Sequence, residues 1–301
     1  MANFLLIGIC IIAGMLFRHF KTLPEGSHKA INTWIIYLAL PAVSFKYLPP
    51  IEWSTSLLLP TLAPLLVWFL GWIYVRLFAQ KTNVNRATES GLKLSTGLSN
   101  TSFIGFPLVM AYYGEQYIGI AVICDQITFM LLATVGIMEA LQAQGTQKIN
   151  IFDIVKKVLR FPPFIGCVAA LTIPQFIDTT SLNPLFDKLA STVGPLALFS
   201  IGLQLQLTGW QSEIKTISAS LLFKLILAPL AVLGLAFLLK INGIIAQISI
   251  FEMAMPPLLT ASVIADEYQL NPKLVNLTIS IGILCAFVTT GIWWWVLKVI
   301  Y

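Results

Sequence analysis

Long apolar segments recur along the whole chain and constrain its fold more than any other feature. A helix needs about 20 mostly apolar residues to cross a bilayer. Only 10% of the 301 residues are charged, and the mean hydropathy is +0.86, outside the range of soluble domains. We therefore predict an all-α integral membrane protein with ten transmembrane helices. The predicted spans are 3–19, 30–48, 57–79, 91–113, 117–139, 155–174, 185–207, 216–239, 244–266 and 274–298.

The basic residues between these spans predict the orientation of the chain. Most of the 18 Lys and Arg residues fall in or beside odd-numbered connections, and Lys and Arg accumulate on the cytoplasmic side of membranes. We therefore expect both termini on the non-cytoplasmic side of the cell inner membrane. The same rule explains a pI near 9.0 without a nucleic-acid partner. The first apolar run precedes its basic residues, Arg18 and Lys21, so we expect a retained span and not a signal peptide.

Short similarities between the two halves predict an internal repeat. "APLLVW" in span 3 matches "APLAVL" in span 8, and Pro41 and Pro107 have counterparts in Pro195 and Pro256. Each half holds five spans, and because five is odd the second half enters the membrane from the opposite side. We predict two inverted five-helix repeats, residues 1–139 and 140–301, an arrangement common in secondary transporters.

Spans 4 and 9 contain prolines that interrupt a helix inside an apolar segment. Proline lacks the amide hydrogen and frees the carbonyl four residues back. Pro107 is therefore expected to free the Phe103 carbonyl, and Pro256 and Pro257 to free those of Glu252 and Met253. Broken helices at corresponding places in two repeats indicate a binding site at the membrane midplane. Free amides there suit a carboxylate, and free carbonyls suit a cation. The alternative is a proline kink that serves packing alone.

Ionisable residues inside a membrane are functional candidates. Asp125 in span 5 and Glu252 in span 9 are candidates for coupling to protons or sodium, the alternative being static, hydrogen-bonded acids. Lys224 lies about 12 Å into span 8, and we expect it to snorkel towards the headgroups. If it does not, it pairs with an acid or meets an anionic substrate. Lys46 and Arg160 lie near span ends and are expected as interfacial anchors.

The sequence carries no pattern typical of a catalytic or cofactor site. It contains no H-E-x-x-H, no G-x-S-x-G and no Gly-rich phosphate loop followed by Lys. The four cysteines have no C-x-x-C spacing, which leaves no zinc site. We therefore predict neither an enzyme nor ATP-driven transport, and no cofactor.

Several motifs, in order along nearly the full chain, resemble the auxin efflux carriers, which include the plant PIN proteins and bacterial carriers of small dicarboxylates. They are "INTWIIYLALPAVSFKYL" in span 2, "NTSFIGFPL" in span 4, the spacing of Gln126 and Glu139 in span 5, "PLALFSIGLQL" in span 7 and "AMPPLLTASVIADEYQLNPKL" in span 9. The resemblance implies ten helices in two inverted repeats, with spans 4 and 9 crossing at their breaks between a transport domain and a scaffold domain. It also implies elevator-type movement and a homodimer.

The resemblance also implies roles for individual residues. In that family the crossover asparagine contacts the substrate carboxylate, a role that falls here to Asn100. A second, more distant resemblance is to the bile acid sodium symporters, which hold sodium with a Ser-Asn pair and a Glu-x-x-Met run; Ser99, Asn100, Glu252 and Met255 are similar. Plant PINs lack an acid at the Glu252 position. This departure favours coupling to Na⁺ or H⁺, with sodium at Asn100 and Glu252.

We therefore predict a secondary transporter of small organic anions, such as mono- or dicarboxylates, with alternating access at the crossing of spans 4 and 9. One alternative is a sodium-coupled carrier of larger, bile-acid-like anions; another is a membrane sensor that binds the same ligand without moving it. The predicted substrate-binding residues are Asn100, Thr101, Gly105, Pro107, Pro256 and Pro257, and the predicted ion-coupling residues are Ser99, Asp125, Gln126, Glu252 and Met255.

Overall fold

The computed structural model describes residues 2–145, 152, 156 and 158–301, and within them the regular structure is helical, without strands. Residues 155 and 157 of predicted span 6 lie outside the described residues. The helices are α1 (Ala2–His19), α2 (Ser27–Trp34, Ile35–Ala39 and Leu40–Tyr47), α3 (Thr55–Thr82), α4a (Arg86–Gly97), α4b (Thr101–Tyr112), α5 (Glu115–Ala143), α6 (Pro162–Thr172), α7 (Asn183–Ser191 and Val193–Gln204), α8 (Gln211–Leu239), α9a (Gly243–Met253), α9b (Ala261–Glu267) and α10 (Pro272–Ile300).

Five of these helices, α1, α3, α5, α8 and α10, are long and apolar enough to cross a membrane. They coincide with predicted spans 1, 3, 5, 8 and 10. The other predicted spans correspond to α2, α4, α6, α7 and α9, which are shorter, interrupted or more polar. The all-helical membrane architecture is thus confirmed, whereas ten crossings and the inverted symmetry of residues 1–139 and 140–301 stay predictions.

π-helical turns accommodate three of the prolines inside the helices. The turns Ile35–Ala39, Thr101–Gly105 and Phe223–Leu227 each end two residues before a proline, at Pro41, Pro107 and Pro229. A π turn widens the helix locally, which makes room for a ring that cannot donate a hydrogen bond. The expected break of span 4 at Pro107 is therefore wrong in position: the helix is interrupted earlier, between Gly97 and Thr101.

Packing sorts the helices into two groups. Helices α1, α2, α6 and α7 pack on one another and form what we call the four-helix group. Helices α3, α4, α5, α8, α9 and α10 form the six-helix group, with α3 packed against α4a, α5, α8 and α9a. The groups meet where α4b contacts α1 and α7, and where α5 contacts α2 and α6.

Two glycines allow α1 and α7 to approach closely inside the four-helix group. A methyl group built on Gly14 would overlap the Phe199 carbonyl, and one on Gly202 would overlap the Ile11 carbonyl. Small residues at such crossings let membrane helices pack backbone against backbone. These glycines therefore fix the position of α7, against which α4b and its π turn lie.

Candidate functional site

Helices α4 and α9 are both interrupted, and their unwound segments cross. The amide of Asn100 donates to the Pro256 carbonyl at 2.9 Å, and the amide of Leu258 donates to the Leu98 carbonyl at 3.0 Å. Ser99 and Pro257 form the centre of this short antiparallel bridge. Each unwound segment thereby satisfies part of the other's backbone, which a chain inside a membrane requires. The bridge brings the polar motif of span 4 against the double proline of span 9.

The Asn100 side chain lies in the crossing with its hydrogen-bonding groups unused. It is 0% exposed, and neither Nδ2 nor Oδ1 has a partner among the described residues. The hydroxyl of Ser102, two residues on, lies near the Asp125 carboxylate but forms no hydrogen bond of normal geometry among the described residues. A buried polar group without a partner costs free energy and calls for an explanation such as a bound ligand or ion.

Thr101 connects the crossing to α5. Its hydroxyl donates to Asp125 Oδ1 at 2.6 Å, and Asp125 is 0% exposed. The second carboxylate oxygen of Asp125 has no partner within the described residues, nor does Oε1 of the neighbouring Gln126. The predicted residues Thr101 and Asp125 are therefore in direct contact, with one carboxylate oxygen of the pair left free.

Glu252, at the end of α9a, lies against the π turn of α4b. It is 0% exposed, and both carboxylate oxygens lack a partner within residues 2–145, 152, 156 and 158–301. A methyl group built on Gly105 would overlap both of these oxygens. Glycine at position 105 therefore leaves the space that the Glu252 carboxylate occupies.

Lys224 points into the crossing, so the prediction that it snorkels to the headgroups is wrong. It is 0% exposed. Its Nζ donates to the Ser99 hydroxyl and to the Met253 carbonyl, the latter at 3.5 Å. Because Pro257 has no amide hydrogen, it leaves the Met253 carbonyl without a helical partner. The proline pattern predicts this free carbonyl, and the cation that it accepts is the Lys224 ammonium group.

The remaining predicted residues surround this centre. Met255 is 0% exposed and its amide donates to the Glu252 carbonyl at 3.3 Å. The prediction that Pro256 leaves this carbonyl free is therefore wrong, because the chain turns tightly after α9a and supplies another amide. Pro257 packs on α10, where a methyl group on Gly282 would meet its ring. Pro107 lies outside the bridge, on α4b, and faces Gly194 of α7. The structure thus gathers the predicted residues at one place and puts Pro107 at the boundary with the four-helix group.

A cavity of about 750 Å³ opens between the two groups, on the face where the odd-numbered connections lie. It reaches Leu259, two residues past Pro257, whereas Asn100 does not line it. Water therefore reaches one side of the crossing, while the unpaired polar groups remain covered.

His28 lies in the wall of this cavity, before predicted span 2. Its pKa is lowered by burial and by the charges of Lys29 and Arg18, and Asp266 opposes this effect from across the cavity.

Comparison with known proteins agrees with this architecture. The family described as "membrane transport protein" matches residues 1–294. An uncharacterized transporter of Methanocaldococcus jannaschii is 26% identical, covering 97% of both chains. A putative malonate transporter of Rhizobium meliloti is 27% identical over 87% of this chain and 85% of its own. Auxin efflux carrier component 8 of Arabidopsis thaliana is 23% identical over 91% of this chain and 90% of its own.

These similarities confirm the resemblance drawn from the motifs of spans 2, 4, 5, 7 and 9, and they extend over nearly the whole chain. They also confirm a transporter and not an enzyme, with a small-molecule substrate and a lipid environment. The chain belongs to the membrane transport protein family.

Proposed function

We propose that this chain is a secondary transporter of small organic anions that binds its substrate at the crossing of α4 and α9. The substrate carboxylate binds the Asn100 amide nitrogen, next to the backbone of the π turn that begins at Thr101. The putative malonate transporter among the relatives makes malonate the first substrate to test. Gly105, Pro256 and Pro257 keep the backbone open at this point, and Pro107 lies on the side facing the four-helix group.

The observation that carries this proposal is the set of buried polar atoms without partners. Both polar atoms of Asn100, one carboxylate oxygen of Asp125 and both of Glu252 are unpaired within the described residues. Native proteins satisfy nearly all buried polar groups. A concentration of exceptions at the crossing of two broken helices fits a site that is completed by substrate and ion.

Charge balance supports coupling to a cation. Asp125, Glu252 and Lys224 are all fully buried around the crossing, so two carboxylates accompany a single ammonium group. An organic anion entering beside them is repelled unless a carboxylate carries a proton or binds a cation. Hard cations bind oxygen ligands, and the unpaired oxygens of Asn100 and Glu252 supply them. Ser99 accepts from Lys224, Met255 donates its amide to the Glu252 carbonyl, and Gln126 follows Asp125 in the chain. On this basis we assign ion coupling to Ser99, Asp125, Gln126, Glu252 and Met255.

The packing also supports a mode of movement. The crossing belongs to the six-helix group, and the cavity separates part of this group from the four-helix group. We assign the six-helix group as the transport domain and the four-helix group as the scaffold. Sliding of one against the other carries the crossing from one face to the opposite face, which is elevator-type alternating access. A homodimer and outward-facing termini in the inner membrane stay predictions.

Counterflow in proteoliposomes tests the proposal. We expect vesicles loaded with unlabelled malonate to accumulate labelled malonate, and Asn100→Ala to reduce the initial rate about 10- to 100-fold, because a hydrogen bond to a charged group is worth about 1.5–3 kcal/mol. Asn242→Ala is the matched control, since Asn242 is exposed and its side chain caps no helix. Counterflow by Asn100→Ala at the rate of this control would contradict the site assignment.

Two further arms separate the alternatives. Omitting sodium tests the coupling ion: a rate that falls without Na⁺ and no longer responds to Na⁺ in Glu252→Gln assigns sodium to Glu252. A bile acid that competes better than malonate favours the carrier of larger anions. Ligand-induced thermal stabilisation without counterflow favours the sensor.

A further inference from the structure

On the face opposite the cavity, an ion-pair cluster joins the two helix groups. Lys46 Nζ, at the end of α2, lies 2.7 Å from Glu115 Oε1 and 2.9 Å from Asp187 Oδ1. The Tyr47 hydroxyl also donates to Glu115 Oε1 at 2.7 Å. Lys46, Tyr47 and Asp187 belong to the four-helix group, whereas Glu115 begins α5 of the six-helix group. We call these four residues the latch.

Close backbone packing seals the same face beneath the latch. A methyl group on Gly119 of α5 would come within 2.8 Å of the Tyr47 carbonyl and of the Ile51 side chain. In this structure the boundary between the groups is therefore shut on the latch face and open on the cavity face.

The two walls of the cavity carry opposite charges. The wall from the four-helix group contributes Arg18, Lys21 and Lys29 with one acid, Glu25, and is net basic. The wall from α9b contributes Asp266 and Glu267. Within the described residues Lys21, Lys29, Asp266 and Glu267 form no ion pair. Narrowing the cavity brings the basic wall towards the acidic wall, so closure replaces solvated charges by ion pairs.

We propose that the boundary between the two helix groups carries an ionic gate at each face, and that the two gates close alternately. The latch holds the present state, and Lys21 and Lys29 pair with Asp266 and Glu267 in the state in which the latch is broken. This inference rests on the proposed function, because it assumes that the groups move relative to each other. Its consequence is that each state is held by partly exposed ion pairs between the groups: Lys46–Glu115 in the present state, and Lys21 and Lys29 with Asp266 and Glu267 in the other.

Weak, solvated gates suit a carrier that alternates between two states. Glu115 and Asp187 in the latch are 59% and 55% exposed, and exposed ion pairs contribute little individually. A carrier that alternates needs both states populated, and one strong, buried ion pair on a single face would hold it in one state. With two solvated gates, the binding of substrate and ion determines the relative populations of the two states.

The experiment captures the closed cavity without using substrate. Ser27 on α2 and Ser262 on α9b line opposite walls of the cavity. The full chain carrying Ser27→Cys and Ser262→Cys is treated with a short bifunctional thiol reagent, and the rate of intramolecular cross-linking reports how often the walls meet. The parent chain with its four native cysteines gives the background.

Breaking the latch should raise the cross-linking rate. We expect Lys46→Met to increase it about two- to fivefold, because the cavity-open state loses the Lys46–Glu115 pair that joins the two groups. The charge swap of Lys46→Glu with Glu115→Lys should lower it again towards the starting value. Lys188→Met is the matched control, since Lys188 is an exposed neighbour of Asp187 without an ion pair among the described residues. An unchanged rate in Lys46→Met overturns the latch.

Neutralising the acidic wall should act in the opposite direction. We expect Asp266→Asn with Glu267→Gln to reduce the cross-linking rate about two- to fivefold. Size-exclusion elution checks that each variant is folded, and general destabilisation does not produce changes of opposite sign at the two faces. Opposite changes without malonate counterflow would retain the gates and reject the proposed substrate. Counterflow with equal cross-linking rates in all variants would retain the transporter and reject the gates.

Discussion

The carboxylate of Glu252 fills the space beside Gly105. Because glycine has no side chain, position 105 determines where the Glu252 carboxylate lies. Both carboxylate oxygens lie where a methyl group would be. Burying a carboxylate costs free energy. Any larger residue at position 105 would occupy the space in which the Glu252 carboxylate now lies. The position of the acid is thus fixed by α4b as much as by α9a.

We expect Gly105→Ala to lower the free energy of unfolding by about 1–3 kcal/mol, the usual cost of overpacking. Adding Glu252→Ala should recover most of this loss, because it removes the overlapping oxygens. Gly234→Ala is the control, since a methyl group there has nothing within 4 Å. Thermal unfolding in detergent measures all of these variants. Equal stability of Gly105→Ala and Gly234→Ala would show that the overlap is relieved by other means.

Replacing Lys224 should separate stability from transport. Met has a similar length without the charge. Lys224 forms no ion pair with a carboxylate among the described residues, so its replacement breaks no buried ion pair and removes the cost of burying a charge. We therefore expect Lys224→Met to unfold at the same or a higher temperature, while counterflow falls at least about tenfold. Exposed Lys188→Met serves as control. Loss of both stability and transport would instead indicate a purely structural lysine.

Much of the site could be predicted at the level of residue types, but not its contacts. Asn100, Thr101 and Glu252 could be predicted as site residues because they are polar residues within the apolar segments of spans 4 and 9. The inward direction of Lys224 could not be predicted, because a lysine snorkels only where its face of the helix is surrounded by lipid and not by protein. That is decided by the packing of α8 on α3 and α10.

At the scale of the helix, prolines indicate that a segment is irregular but not where it breaks. The π turn Thr101–Gly105 accommodates the ring of Pro107 without breaking the helix, and the interruption lies before Thr101. The bridge to Pro256 and Leu258 explains this displacement, because its hydrogen bonds need extended backbone at Leu98–Asn100. A partner segment more than 150 residues away thus decides the position of the break.

The crossing of α1 and α7 gives a prediction at the same scale. We expect Gly14→Leu to lower the free energy of unfolding by about 1–3 kcal/mol, because the side chain would push α1 from α7 at Gly202. Gly8→Leu lies on the same helix, and a methyl group there has nothing within 4 Å. We expect it to leave thermal unfolding unchanged. Equal effects of the two substitutions would exclude close helix approach as the cause.

For the whole molecule, hydropathy and charge predict the membrane class, and the motif order predicts the family, which the comparison confirms. The grouping of α1, α2, α6 and α7 against the other helices could not be derived from the apolar pattern. Every span is apolar, and the pattern does not state which helices touch. Only the resemblance indicated two domains.

The orientation of the chain in the membrane can be tested by introducing one cysteine at a time into a connection. Thr22 lies in the first connection and Asp178 in the sixth, and both are exposed. We expect an impermeant thiol reagent to label Asp178→Cys in intact cells, and Thr22→Cys only after permeabilisation. The unsubstituted chain gives the background from native cysteines. The reverse pattern would place the termini in the cytoplasm.

The bridge between α4 and α9 has a consequence for biosynthesis. The backbone amide of Asn100 and the carbonyl of Leu98 find their partners only in residues 256–258. Until the ribosome has delivered that segment, the first half of the chain holds unsatisfied peptide groups within the lipid. The crossing of α4 and α9 therefore cannot form during early translation, and chains truncated before α9 present a defect that membrane proteases can recognise.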